Sequence, residues 1–185
     1  MGGAWESLIK SVKRALKAII LDRVFTDEAL YTFLCETECI INQRPLTAIS
    51  DDVNDFDTLT PNHFLIGEAH PNQSPGEFSS KEINYPKKWR AVQAASDMFW
   101  NRWRMEYLLT LTQRRGGLLK ERNFKKGDLV ILQEKNVPRS HWPIGRVMEI
   151  YPGQDGVVRI VKLRTPTNEI VRPANKLYLM EGSDY

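Results

Sequence analysis

Five short β-rich runs between Phe124 and Met180 constrain this chain more than any other feature. They are Asp128–Gln133, Gly145–Tyr151, Gly156–Arg164, Glu169–Arg172 and Leu177–Met180. Turn residues punctuate them: Lys126-Gly127-Asp128 at the entry, Pro152 to Gly156 between the second and third, and Pro166-Thr167-Asn168 before the fourth. Short β-branched runs separated by Gly, Pro, Asn and Asp predict antiparallel strands joined by tight turns. Neither face of the alternation is cleanly apolar, as expected of a small curled sheet covered on part of its outer face. With a long first loop (Glu134 to Pro143) and a Pro173-Ala-Asn-Lys176 turn before the last run, the pattern reads as a five-stranded SH3-like barrel.

Upstream the pattern is helical. Trp5, Leu8, Ile9, Val12, Leu16 and Ile19 form an apolar stripe over residues 2–21, and Glu6, Lys10, Lys13 and Lys17 align beside it. Thr26 caps a second helix carrying Leu30, Phe33, Leu34, Ile40 and Ile41, which Pro45 ends. Residues 50–57 read as a solvated acidic loop, and Thr60-Pro61 opens a short helix with Phe64 and Leu65. A Pro, Asn, Ser and Gly-rich stretch marks a linker at 68–85. A long helix follows from near Pro86 to about Arg115, stopped by Gly116-Gly117, with Trp89, Val92, Phe99, Trp103, Tyr107 and Leu111 on the side expected to pack on the barrel. The fold class is α+β, with segments 1–67, 68–85 (linker), 86–123 (basic aromatic helix), 124–180 (barrel) and a 181–185 tail.

Charge locates the expected partner. Residues 81–126 hold twelve Lys/Arg against four Asp/Glu, whereas 1–80 hold six against twelve and 127–185 eight against seven. The basic excess of the middle segment is where an anionic partner belongs. Lys87, Lys88, Arg90, Arg102 and Arg104 lie on the long helix, Lys125 and Lys126 at the barrel entry, and Arg139, His141, Arg146, Arg159, Lys162 and Arg164 in the barrel. Each has two readings, a phosphate contact or ordinary strand-face and helix-face charge. Cys35 and Cys39, four apart, read as core thiols in an intracellular, reduced chain. His63, His70 and His141 are too scattered for a zinc site, and no apolar run is long enough to span a membrane.

Longer motifs carry a family resemblance. Gly2-Gly-x-Trp-Glu-Ser-Leu-Ile-Lys-Ser-Val-Lys13, Thr37-Glu-x-x-Ile-Asn42-x-Arg-Pro-Leu-Thr47, Ser50-Asp-Asp52 and Leu59-Thr-Pro-Asn-His-Phe-Leu-x-Gly67 resemble the end of the integrase core of Pao/BEL-type LTR retrotransposons. Phe99-Trp-x-Arg-Trp103, Gly127-Asp-Leu-Val130, Pro138-Arg-x-x-Trp-Pro-x-Gly-Arg146, Gly153-x-Asp-Gly-x-x-Arg159 and Arg172-Pro-x-x-Lys-Leu177 resemble the domain of unknown function that follows that core.

The resemblance implies that residues 1–67 are helices left from an RNase H-like catalytic core and that Glu6 is the last of its three metal-holding carboxylates. Lys10, Lys13 and Lys17 would then face double-stranded DNA, either LTR ends or target. The two partner aspartates are expected upstream of Met1. One carboxylate does not hold two divalent metals, so the chain alone is expected to need no cofactor and to be inactive in strand transfer, magnesium or manganese belonging to the complete integrase. The implied role is DNA binding and complex assembly, with self-association or the rest of the integrase as further partners, no membrane, and a nuclear or cytoplasmic particle as location. Two alternatives stay open: a histone-tail reader with Trp142, Tyr151 and Tyr178 as an aromatic cage, and a purely structural multimerisation module.

Overall fold

The computed structural model describes residues 3–21, 24–50, 52, 55–69, 87–113 and 123–181. The linker at 68–85 (but for Glu68 and Ala69), Asp51, His70 and Gly116-Gly117 lie outside the described residues, as do the side chains of Trp5, Lys87 and Lys88.

Helix α1 (Gly3–Ile20) buries Leu8, Ser11, Ala15 and Ile19, one face at three- and four-residue spacing. Helix α2 (Asp27–Asn42) starts at Thr26, whose hydroxyl oxygen accepts from the Ala29 N–H at 3.4 Å. It buries Phe33 and Ile40. Strands β1 (Thr47–Ala48) and β2 (Thr58–Leu59) pair antiparallel around the acidic loop. At two residues each they are too short to leave an alternation signal. Helix α3 (Pro61–Ile66) follows, with His63 Nδ1 accepting from the Thr60 N–H at 2.9 Å, and it ends at Gly67, whose φ of 78° suits glycine. Phe64, Leu65 and Ile66 stay exposed.

Helix α4 (Lys87–Gln113) is the centre of the molecule. Val92, Ala95, Phe99, Trp100, Trp103, Tyr107 and Leu108 are all buried, more than a single stripe supplies. The helix has neighbours on two sides. Phe99 meets Phe33 of α2 edge-on at 6.5 Å. Trp100, Trp103 and Tyr107 meet Trp142 edge-on at 4.9, 6.0 and 5.5 Å. The sequence reading packs α4 on the barrel alone; periodicity shows that a face is apolar but not what covers it.

The remaining strands are β3 (Leu129–Leu132), β4 (Ile144–Pro152), β5 (Val158–Arg164), β6 (Glu169–Pro173) and β7 (Leu177–Glu181), with a 3-10 turn at Ala174–Lys176 before the last. They form an antiparallel sheet in the order β6-β5-β4-β3-β7. Strand limits match the sequence runs within two residues. The expected closure is absent: β6 and β7 are edges, and the sheet is open. Irregularities at Val147/Glu149 and Tyr151/Pro152 interrupt the β4–β5 register, a feature that bends and twists a sheet.

Strand β3 is buried on both faces. Val130 and Leu132 join Val147, Val161, Leu163 and Leu177 in the sheet's own apolar cluster, while Leu129 and Ile131 join the helical core of Phe33, Phe99 and Trp103. That is why this strand is an unbroken Leu-Val-Ile-Leu. One face of β3 thus completes the core that the helices share with the sheet, and its other face belongs to a second core within the sheet. Among the described residues no helix is long and apolar enough to cross a membrane.

Candidate nucleic-acid interface

Opposite the buried face of α1, Lys10, Lys13, Arg14 and Lys17 are exposed on one arc together with Glu6. Arg14 Nη1 lies 3.3 Å from Glu106 Oε2, and Arg102 Nε of α4 lies 3.7 Å from Glu106 Oε1. One glutamate thus holds an arginine from each helix at a shared surface. Helix α1 presents four exposed cations (Lys10, Lys13, Arg14 and Lys17) on one arc with Glu6, and Glu106 joins Arg14 to Arg102 of α4. As exposed ion pairs these contribute little to stability, about 0–1 kcal/mol each, so their effect is on surface potential. The sequence reading omits Arg14; its place one turn after Lys10 was the available signal.

Three other candidates are turned inward. Arg104 is 6% exposed: its Nη2 donates to the Glu134 carbonyl at 3.0 Å, and the guanidinium lies 5.5 Å from the centre of the Trp100 ring. Burial lowers its pKa, against an upward pull from Glu134. Arg139 is 8% exposed; it donates to Gln93 Oε1 and lies 3.9 Å from Glu36 and 3.5 Å from Asp97. Arg146 donates to the carbonyls of Gly127 and Asp52 at 3.3 and 3.4 Å. These arginines tie the sheet and its first loop to the helices and to the acidic loop, and in this arrangement they present no guanidinium to solvent phosphate. Charge counting does not separate an arginine that links elements from one that faces water.

The sheet's remaining cations are mostly paired. Lys162 lies 2.9 Å from Glu169 and 3.7 Å from Glu149. Arg164 is half-buried. Lys125, Lys126, His141 and, on α4, Arg90 are exposed. Arg159 grips Asp155 with both terminal nitrogens, at 2.9 and 2.6 Å. The turn that presents them passes through Gly153, where a Cβ would sit 2.7 Å from Arg159 Nη1 and 2.9 Å from Asp155 Oδ1, closer than real Cβ atoms approach.

That pair makes a pH prediction. Hydrogen bonding to Arg159, then to the Val157 N–H, lowers the Asp155 pKa from 3.8 to about 2. Because the folded value is depressed, the stabilisation is present above pH 3.8 and is lost as pH falls toward about 2. Carboxyl-carbon NMR titration should find Asp155 half-protonated near pH 2. Arg159→Gln should return the midpoint toward the ordinary aspartate value of about 3.9. An unchanged midpoint in the variant would remove Arg159 as the cause.

Other expected site residues fare differently. Trp142 is enclosed by three aromatic rings, Tyr178 packs against the same core, and Tyr151 is exposed with its hydroxyl donating to Glu149 at 2.9 Å. In this arrangement the three do not form an open cage. The expected pair of core thiols needs correction: Cys35 is exposed and Cys39 only partly buried, because the α2 face they occupy is not the one that meets α4. Cys39 Sγ accepts from Gln43 Nε2 at 3.3 Å, and burial first, then Glu36, raises its pKa. Glu6 stands on the exposed lysine arc. Among the described residues no group of three or more His, Cys, Asp or Glu side chains is placed to hold a metal ion.

A family model matches residues 87–180, from the first residues of α4 into β7. It is described as a family of unknown function, DUF5641. The chain belongs to that family. No curated protein and no solved structure matches the chain. The DUF5641 span includes α4 and every strand of the large sheet, the elements joined by Trp100, Trp103 and Trp142.

Proposed function

We propose that this chain is the carboxy-terminal part of a Pao/BEL-type retrotransposon integrase, and that it holds DNA and helps assemble the integration complex. The observation that carries the DNA reading is the exposed arc of α1 with Lys10, Lys13, Arg14 and Lys17, which Arg14 joins through Glu106 to Arg102 of α4. Flexible exposed cations release counterions from phosphates without reading sequence. The strand order supports an SH3-like reading: numbered within the sheet it is 4-3-2-1-5, with a 3-10 turn before the last strand. On that reading β6 and β7 are the two sides of a barrel seam. The resemblance assigns Glu6 to a metal-holding set, with magnesium or manganese bound by the complete integrase; the role proposed for the residues described is holding DNA. A second reading, self-association, draws on exposed Tyr151, Ile160 and Val171 on the outer face of β4, β5 and β6.

Fluorescence anisotropy on unrelated duplexes tests the proposal. Four to six phosphate contacts predict a loss of affinity of roughly a hundredfold to a thousandfold between about 50 and 200 mM salt, at a slope near −0.9 per phosphate. The triple variant Lys10→Glu, Lys13→Glu, Lys17→Glu should flatten that slope by about 2.7 if each lysine neutralises one phosphate. A wild-type slope near zero would remove DNA as the partner, and an unchanged slope in the triple variant would remove α1 from the interface.

A further inference from the structure

The turn between β4 and β5 reads Gly153-Gln-Asp-Gly-Val157 and contains an Asp-Gly step, the dipeptide in which the backbone most readily closes on an aspartyl side chain. Glycine has no Cβ to obstruct the approach of its amide nitrogen to the neighbouring carboxyl carbon. The Asp155 side chain is 50% exposed, so water reaches the step. Both reacting groups are nevertheless engaged elsewhere. The Gly156 N–H donates to the Gly153 carbonyl at 2.9 Å. Asp155 Oδ1 accepts from Arg159 Nη1 at 2.9 Å and from the Val157 N–H at 3.2 Å, and Oδ2 accepts from Arg159 Nη2 at 2.6 Å. A fork of two charge-assisted bonds fixes the carboxyl plane and favours the ionised form, which has no leaving group for ring closure. Asn123 holds the same turn, its Nδ2 donating to the Gly156 carbonyl at 2.8 Å and its Oδ1 accepting from the Val158 N–H at 3.0 Å.

We propose that Asp155-Gly156 is a latent isoaspartate site, kept closed by the Arg159 clamp and opened when that clamp is released. In the open state the Gly156 nitrogen attacks Cγ of the protonated Asp155 side chain. A C–N bond forms, and the carboxyl hydroxyl leaves as water with the amide proton. Water then adds to the resulting succinimide. Cleavage of the Cγ–N bond restores aspartate. Cleavage of the original peptide C–N bond leaves the chain running through Cβ and Cγ, with a free α-carboxylate. The water lost on closure is regained on opening, so no oxidant or other co-reactant takes part. The product carries an extra methylene in the β4–β5 turn and a carboxylate that a methyl-transferring isoaspartate repair enzyme esterifies. Gly153 belongs to the same arrangement, since a Cβ there would meet Arg159 Nη1 at 2.7 Å and displace the clamp.

The test ages the whole chain at physiological temperature and pH, folded and in guanidinium chloride, beside folded Arg159→Gln and Arg159→Lys. Peptide mapping with electron-transfer fragmentation separates isoaspartate from aspartate at position 155. Transfer of labelled methyl groups by an isoaspartyl methyltransferase counts it independently, and Asp155→Glu, whose side chain closes far more slowly, assigns the methyl signal to this site. Folded wild type should accumulate isoaspartate at least about tenfold more slowly than the unfolded chain, because the depressed pKa of Asp155 leaves about a tenth or less of the ordinary protonated carboxyl. Arg159→Gln should recover most of that factor with the melting transition retained. Arg159→Lys, which keeps the charge without the two-nitrogen fork, should fall between them, and it is the variant read if the glutamine variant does not fold. A folded Arg159 variant as slow as wild type would overturn the proposal, and so would folded wild type as fast as the unfolded chain.

Discussion

Replacing Trp103 with alanine is expected to lower the free energy of unfolding by about 3–5 kcal/mol. The side chain is fully buried on α4. It stacks on Phe99 at 6.2 Å and on Tyr107 at 5.4 Å, and meets Trp142 edge-on at 6.0 Å. Truncation leaves a cavity where helices and sheet meet, and none of these rings lies on a surface free to collapse into it. The indole N–H is buried without an acceptor, so part of the gain from burial is already offset. Trp103→Phe should therefore cost much less than Trp103→Ala. Urea titration followed by circular dichroism measures both. A loss below about 1 kcal/mol for the alanine variant would mean that the site collapses or that the cluster is not the core.

Arg139→Met should cost about 1–3 kcal/mol, because it removes a buried guanidinium from Gln93 Oε1 and from two partly exposed carboxylates. Its side chain is 5% exposed, against 27% for Glu36 and 61% for Asp97. Asp97 regains water when the arginine is lost; Glu36 does so only partly, so it accounts for most of the penalty. The double variant Arg139→Met, Glu36→Gln should recover some of the loss. The slope of DNA binding against salt should not change in Arg139→Met, because the guanidinium faces inward. A variant of unaltered stability whose slope falls by about 0.9 would place Arg139 on a phosphate instead.

Local chemistry settled much of the fold in advance. Thr26 before Asp27 and Glu28, Thr60 before Pro61, and the turns at Gly127 and Gly153 to Gly156 set element boundaries through hydrogen bonds spanning three or four residues. Such interactions are present wherever the segment goes, so the sequence reports them. The alternation of the strands and the four-residue spacing of the lysines on α1 were legible for the same reason. Tertiary structure decided whatever depends on which surfaces meet. Arg102 and Arg104 lie two residues apart on one helix, yet Arg102 shares Glu106 with Arg14 at the surface while Arg104 lies over Trp100 inside. Cys35 and Phe33 are as close in sequence, and only Phe33 turns toward α4. Gln43 and Trp142, 99 positions apart, line the same groove only because the end of α2 packs beside the loop before β4. Sequence period specifies the angle at which a side chain leaves its helix or strand; the element that arrives at that angle is chosen by packing among distant segments.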